Sequence, residues 1–345
     1  MFLAKMTTEQ AAQAFRLDPV ILLPVGSCEQ HGPQCALGTD FLIPDHLARQ
    51  VEALPNLIVA PTVPYGVCPY HMSFAGSIDI GYEGLHHLLH SITFSLMQHG
   101  ARRFLILNGH GGNNPAIDKT ALEIYHAGGV CASIDWWSLA GQLDPSLKGG
   151  HGDILETSAM MAVDPQAVQL QLCQPMNSHA PSANTDCASI QKGTNSDPNW
   201  KISFHGGSVR LPRDTCENAP SGWFGPRDPA DSTAAMGKKA LDLVENFLRE
   251  FIEEFRSFPL GSRQRPFSVI RKRSEEASTA SSPPSYSQRI LSPCSSACRK
   301  AAMSGAWANA LPPASSSRRP KTVKYPPSTF SARCSKVSVD RGVFS

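Results

Sequence analysis

The sequence predicts a three-layer α/β/α sandwich around a mainly parallel sheet, and two observations carry that expectation. Short apolar runs recur at Val20–Val25, Leu57–Ala60, Phe104–Leu107 and Val130–Ile134. Longer stretches with helical patterning separate them, the alternation expected of a sheet covered by helices on both faces. In order, a helix is expected near Thr8–Arg16, then the strand VILLPV at 20–25, a helix near Ile43–Glu52 and a short strand at Leu57–Ala60. The next helix, about Tyr82 to His99, spaces Leu85, Leu88, Leu89 and Met97 as a packing face. The histidines it carries (His86, His87, His90 and His99) read as packed or solvent-facing residues. The strand at Phe104–Leu107 precedes a helix from Asn114 to His126, Val130–Ile134 follows, and Ser232–Phe255 closes the domain as a long helix.

Three motif clusters sit at the ends of these runs. The first, LLPVGSCEQHGPQCALGTD over Leu22–Asp40, offers Glu29, His31 and Asp40 beside the first apolar run. Two residues apart in an extended segment, Glu29 and His31 leave the same face, and Asp40 is expected to return from the following loop. The second, RFLILNGHGGNN over Arg103–Asn114, places His110 at a strand C-terminus, the edge of an open α/β sheet where ligands bind. Its glycines also suit a phosphate-cradling turn, but neither the dinucleotide nor the P-loop glycine spacing is met. The third, HGDILETSAM over His151–Met160, adds His151 and Glu156, with Glu156 also suited to a helix first turn.

Together these clusters resemble the creatininase (creatinine amidohydrolase) family, with its LPVGSxEQHGPHLPLGTD, NGHGGN and HxGxxETS-type segments in the same order. Pro61–Ile80 resembles the family's PxxxYGxSxxHxxFPGT stretch, and SGWFGPRDPADSTAAMGK over Ser221–Lys238 resembles its SGVxGDPxxATxEKG ending. The resemblance spans roughly residues 1–255. It implies a creatininase-like fold, a homo-oligomer, often a hexamer, and two divalent metal ions per chain. Glu29, Asp40 and His110 would hold one ion, and His31 with the shared Asp40 the second. Such imidazole and carboxylate shells suit Zn, Mn or Fe. His151 aligns with the family's proton-transferring histidine. Creatininase carries a metal-binding glutamate two residues after its NGH histidine, where this chain has Gly112, so Glu156 becomes the nearest group to complete the second shell. Substrate contacts are expected from Tyr70, His71, Ser73 and Phe74, and from the pair Trp136 and Trp137, one of which is expected to pack under the sheet.

The expected activity is a metal-dependent amidohydrolase that cleaves a cyclic amide or other C–N bond of a small polar substrate through metal-activated water. The related alternatives are a formamide deformylase, a peptidase of a modified peptide and a hydrolase of an oxidised inositol ring (an inosose). A non-enzymatic alternative is polyanion binding through the basic C-terminal region. Residues 261–345 hold 15 Lys and Arg against 3 Asp and Glu, leaving 16 against 26 in residues 1–260. Twenty of those last 85 residues are Ser. We therefore expect a catalytic domain over 1–260 and a disordered basic Ser/Pro-rich tail over 261–345, whose origin as a functional arm or a frame-shifted end stays open. Nucleic acid is not an expected partner of the domain. With no signal-like or membrane-length apolar segment, a cytoplasmic protein is the default expectation. The ten scattered cysteines do not suggest a disulfide scaffold, and Cys28 reads as a small packing residue rather than a thiolate ligand.

Overall fold

A computed structural model of the chain describes residues 1–175, 190–192 and 201–261. The tail expected over 261–345 lies, from residue 262 on, outside the described residues. Helix α1 (Thr8–Phe15) leads into strand β1 (Val20–Val25), followed by α2 (Thr39–Val51), β2 (Leu57–Val59), α3 (Gly81–Gln98) and β3 (Arg103–Asn108). Then come α4 (Asn114–His126), β4 (Val130–Asp135), α5 (Trp136–Leu143) and α6 (Ile154–Val163). After these follow three short strands, β5 (Ile190–Lys192), β6 (Lys201–Phe204) and β7 (Gly207–Arg210), the short α7 (Thr215–Asn218) and the long α8 (Ala234–Phe255). No described helix is long and apolar enough to cross a membrane.

The main sheet has the order β2-β1-β3-β4, and each pairing is parallel. Because side chains alternate along a strand, β1 sends Val20 and Leu22 to one face and Ile21, Leu23 and Val25 to the other. Strand β3 does the same with Leu105 and Leu107 against Phe104 and Ile106. The first face packs on Leu47 and Val51 of α2, Leu155 of α6 and Leu248 of α8, and the second on Phe15 of α1, Leu89 of α3 and Ile117 of α4. Two apolar layers therefore sandwich the sheet, as the alternation of runs and helices predicts. The strands β5–β7 form a separate antiparallel sheet that the sequence reading did not anticipate.

Two prolines shape the sheet edge where the motifs gather. Pro24 sits in a central strand, normally an unfavourable place because it lacks an N–H. In β1 the even-numbered residues bond toward β2, whose register ends at the Leu22–Val59 pair, so the missing donor falls where the neighbour has stopped. Pro44 lies inside α2 and cannot donate to the Asp40 carbonyl four residues back. That carbonyl instead presses on the ends of β1 and β3, where a Cβ on Gly109 would stand 1.8 Å from Asp40 O and one on Gly26 2.4 Å. Only glycine lets the three backbones meet so closely, and this contact seats the N-terminus of α2 against the strand ends.

Candidate functional site

Asp40 lies in the first turn of α2, not in a preceding loop as the sequence suggested, and it is 2% exposed. Glu29 and His31 come from the irregular segment after β1, where Cys28 bridges to Ile78 and His31 to Cys35. His110 follows β3, and Glu156 lies in the first turn of α6 behind the N-cap Asp153. Glu29 and His31 are fully buried. The ligand-type atoms of Glu29, Asp40 and His110 lie within 4.8 Å of one another, as do those of His31, Asp40 and Glu156. Asp40 belongs to both groups and divides its oxygens between them: Oδ1 is 2.9 Å from His31 Nε2, and Oδ2 is 3.2 Å from His110 Nδ1.

The outer nitrogens of the imidazoles fix which atoms face inward. His31 Nδ1 lies 3.1 Å from the Glu29 carbonyl, His110 Nε2 2.8 Å from the Val67 carbonyl, and His151 Nε2 2.7 Å from the Gln30 carbonyl. A carbonyl only accepts, so each of these nitrogens carries the hydrogen. In the neutral rings the other nitrogens are then bare lone pairs pointing at carboxylates: His31 Nε2 at Asp40 and Glu156, His110 Nδ1 at Glu29 and Asp40, His151 Nδ1 at Glu29 Oε1 3.6 Å away. Acceptors facing acceptors need a proton or a cation between them.

The charge states report the same crowding. Burial opposes a charge on His31, but Asp40 and then Glu156 outweigh it and raise the imidazole to about 10. His110 likewise rises well above the ordinary range, burial being overcome chiefly by Glu29. Burial pushes Glu29 up and Glu156 up to about 8. Burial also works against the charge on Asp40, yet His31 and His110 hold it below the usual carboxylate range. Glu29 Oε1 and Oε2 and Asp40 Oδ2 are buried without a hydrogen-bond partner. Orphaned carboxylate oxygens are costly, and a mixed imidazole and carboxylate set around them, with each imidazole tied from behind, is the donor chemistry of a divalent transition-metal site. The residues present fit such ions.

His71 and Gln30 complete the surroundings. Gln30 Oε1 accepts from Gly32 N, and its Nε2 donates to the Gly222 carbonyl, which fixes the orientation of the amide. Its remaining N–H goes to His71 Nδ1 at 2.8 Å, because His151 Nε2, 2.9 Å away, already carries the hydrogen given to the Gln30 carbonyl and cannot accept. His71 therefore carries its own hydrogen on Nε2, 3.4 Å from Glu29 Oε1 but forming no hydrogen bond with it, where the other three imidazoles present lone pairs. Burial keeps both His71 and His151 well below the ordinary imidazole range, with His110 adding for the first and His71 for the second. Their rings stack with centroids 4.3 Å apart. The loop after β3 is braced by amides: Asn108 donates to Asp135 Oδ1 and Asn114 Oδ1, and Asn113 joins Val67 N to the Gly26 carbonyl.

A cavity of about 510 Å³ opens onto these groups, lined among others by Tyr70, His71, Trp137, His151, Arg210 and Phe224. Among the expected substrate contacts, Tyr70, His71 and Trp137 face it. Trp136 does not: it is fully buried in the core cluster against α8, leaving its neighbour as the cavity wall. Ser73 is exposed in a turn away from the cavity lining, and Phe74 lines a different depression with Gln30 and Leu37. Cys35 is buried beside Thr39, and burial pushes its thiol up to about 12, so it packs as a neutral group. The sequence reading missed Gln30, whose neutral amide sits between two acid–base residues, and Arg210 of β7, which carries no motif.

The family profile described as creatininase, creatinine amidohydrolase, matches residues 4–252. The mycofactocin precursor peptide peptidase of Mycobacterium ulcerans (strain Agy99) is 34% identical over 181 residues, 48% of this chain and 67% of that protein. The 3-dehydro-scyllo-inosose hydrolase of Thermotoga maritima is 28% identical over 178 residues, 48% of this chain and 57% of that protein. The creatinine amidohydrolase of Pseudomonas putida is 30% identical over 193 residues, 49% of this chain and 74% of that protein. The chain thus spans between about half and three quarters of the length of these relatives. The solved structure "Creatininase Mn" superposes with a TM-score of 0.56 at 23% identity, covering 74% of this chain and 98% of that one.

Proposed function

The chain belongs to the creatininase family, and from that premise we propose that it is a metal-dependent hydrolase of C–N bonds in small polar molecules. One observation carries the reading: His31, His110 and His151 each give their outer N–H to a backbone carbonyl and turn the other nitrogen on buried carboxylates. On this reading Glu29, Asp40 and His110 hold one ion, and His31, Asp40 and Glu156 a second, with Asp40 shared. A pair of divalent cations there would polarise a substrate carbonyl and make water nucleophilic near neutral pH. Zn, Mn and Fe all suit the donors, and the printed names of solved relatives include Mn and Zn-Zn forms of creatininase.

The chain's own residues supply the remaining steps. His151, neutral by burial and held by the Gln30 carbonyl, presents Nδ1 toward Glu29. It takes the proton released as water adds to the carbonyl and delivers it to the leaving nitrogen as the C–N bond breaks, so that an acid and an amine result. His71 Nε2–H steadies Glu29. The aromatic wall of Tyr70, Trp137 and Phe224 excludes water and accepts a flat or ring-shaped substrate.

Gly112 separates this chain from creatininase proper. A Cβ there would stand 2.1 Å from the Val67 carbonyl and 2.5 Å from His110 Nε2, so position 112 has no room for a metal-binding glutamate. Glu156 takes that place, and the substrate is accordingly a lactam, formamide or modified peptide in preference to creatinine; a second reading keeps the ions but hydrolyses an oxidised inositol ring (an inosose), which has no C–N bond. The test is elemental analysis of the purified protein together with a hydrolysis screen over those four classes. Retention of metal with turnover of a lactam, formamide or modified peptide supports the reading, and turnover of an inosose derivative alone favours the second. A reconstituted protein that binds no divalent ion overturns it.

A further inference from the structure

A second group of metal-type ligands lies between α3 and α4, outside the lining of the cavity just described. His86 and His90 are four residues apart on α3, one helical turn, and so share a face. Glu123 rises to meet them from α4. His86 Nε2 is 2.9 Å and His90 Nδ1 2.8 Å from one and the same carboxylate oxygen, Glu123 Oε2, and the three ligand atoms lie within 4.8 Å of one another. We infer that His86, His90 and Glu123 form an additional binding site for a borderline divalent transition ion, zinc in the first place, which clamps α3 to α4.

The geometry suits an ion better than it suits hydrogen bonding alone. Two imidazoles aimed at one oxygen leave Oε1 out of the arrangement, whereas an ion about 2.0–2.2 Å from each donor would use all three residues. Ligands at that distance in a tetrahedral shell stand about 3.4 Å apart, so each imidazole nitrogen needs to draw back from Glu123 Oε2 by only about half an ångström. Each neutral imidazole would move its hydrogen to the nitrogen that now points away, and no proton need be lost. The ring of His90 is held in place by stacking on Phe94, with centroids 4.0 Å apart and planes 18° apart. His86 is largely buried, while the side chains of His90 and Glu123 are 42% and 32% exposed, which leaves a fourth, solvent-facing position for water. Two imidazoles and one carboxylate favour zinc, copper or nickel over magnesium or calcium.

The experiment is equilibrium dialysis of the full chain against excess Zn²⁺, followed by elemental analysis, on the wild type, His90→Ala and Glu123→Gln. The wild type should hold one zinc ion per chain more than either variant, and a zinc-dependent rise in Tm should shrink in both. With Cu²⁺ as a probe, paramagnetic resonance should lose a two-nitrogen signal in His90→Ala. Turnover, measured with whichever substrate the screen yields, should stay at the wild-type level, because the group lies outside the cavity. The stoichiometric difference stands or falls independently of the catalytic assignment. Equal zinc content and an equal zinc-dependent Tm in the wild type and both variants would overturn the inference. Glu123→Gln preserves shape and hydrogen bonding, so its result holds even if His90→Ala folds poorly.

Discussion

Replacement of Gly112 by alanine tests how tightly the loop after β3 is built around His110. The added methyl carbon would sit 2.1 Å from Val67 O, 2.5 Å from His110 Nε2 and 2.9 Å from Tyr70 Oη. A carbon normally stands more than about 3 Å from an oxygen, so the Val67 carbonyl and the imidazole must part by about 1 Å. Their hydrogen bond is 2.8 Å long, and an opening of that size takes it out of bonding range. Overpacking of this kind costs about 1–3 kcal/mol. The loss of the bond that orients an imidazole ligand lowers metal affinity by about 10- to 100-fold. The assays are chemical denaturation of the metal-free protein and competition for Zn²⁺ against a chelator. Gly112→Glu, which installs the side chain creatininase carries there, should do worse than Gly112→Ala in both. Wild-type stability and affinity in Gly112→Ala would refute the steric argument, and with it the reason given for the chain's departure from creatininase.

Asp40→Ala should retain neither metal ion, because it removes the carboxylate whose two oxygens face His31 and His110; full metal content by elemental analysis would show that Asp40 is not shared. Creatinine should be turned over slowly or not at all by the metal-loaded protein, and efficient hydrolysis in a direct assay would show that Glu156 replaces the missing glutamate without loss of specificity. Truncation after Gly261, whose N–H reaches the Gly129 carbonyl, should leave metal content and turnover nearly intact; loss of folding by circular dichroism would move the domain boundary. His151→Ala should keep its metal while kcat falls by ~10²–10⁴-fold, and wild-type turnover under conditions where chemistry limits the rate would remove its proton-transfer role.

Much of this architecture is legible in one sequence because burial on both faces writes itself as uninterrupted apolar runs. Val20–Val25 and Asn114–His126 emerge with the expected bounds, and the other strands of the main sheet within a residue or two. Helix α2 starts four residues before the expected Ile43, and the reason is physical: a proline inside a helix, which ordinarily breaks it, is accommodated here. Pro44 is tolerated only because the Asp40 carbonyl it strands finds room between Gly26 and Gly109, residues distant in sequence. That same contact carries Asp40 from a loop into a helix first turn, where its side chain can face both His31 and His110. The acid–base residues were visible because their types are rare together near strand ends. Gln30 was not, since a neutral amide has no such signature, and its role depends on Gly222, 192 residues away, holding one of its hydrogens. With that hydrogen committed, only one is left for His71, and this puts an N–H of His71 on the Glu29 side although it lies among imidazoles that offer lone pairs. Residue types near a strand end thus point to the chemistry of a site. The division of labour among its four histidines depends on whether each ring meets a backbone carbonyl or the Gln30 amide, and only the folded chain decides that.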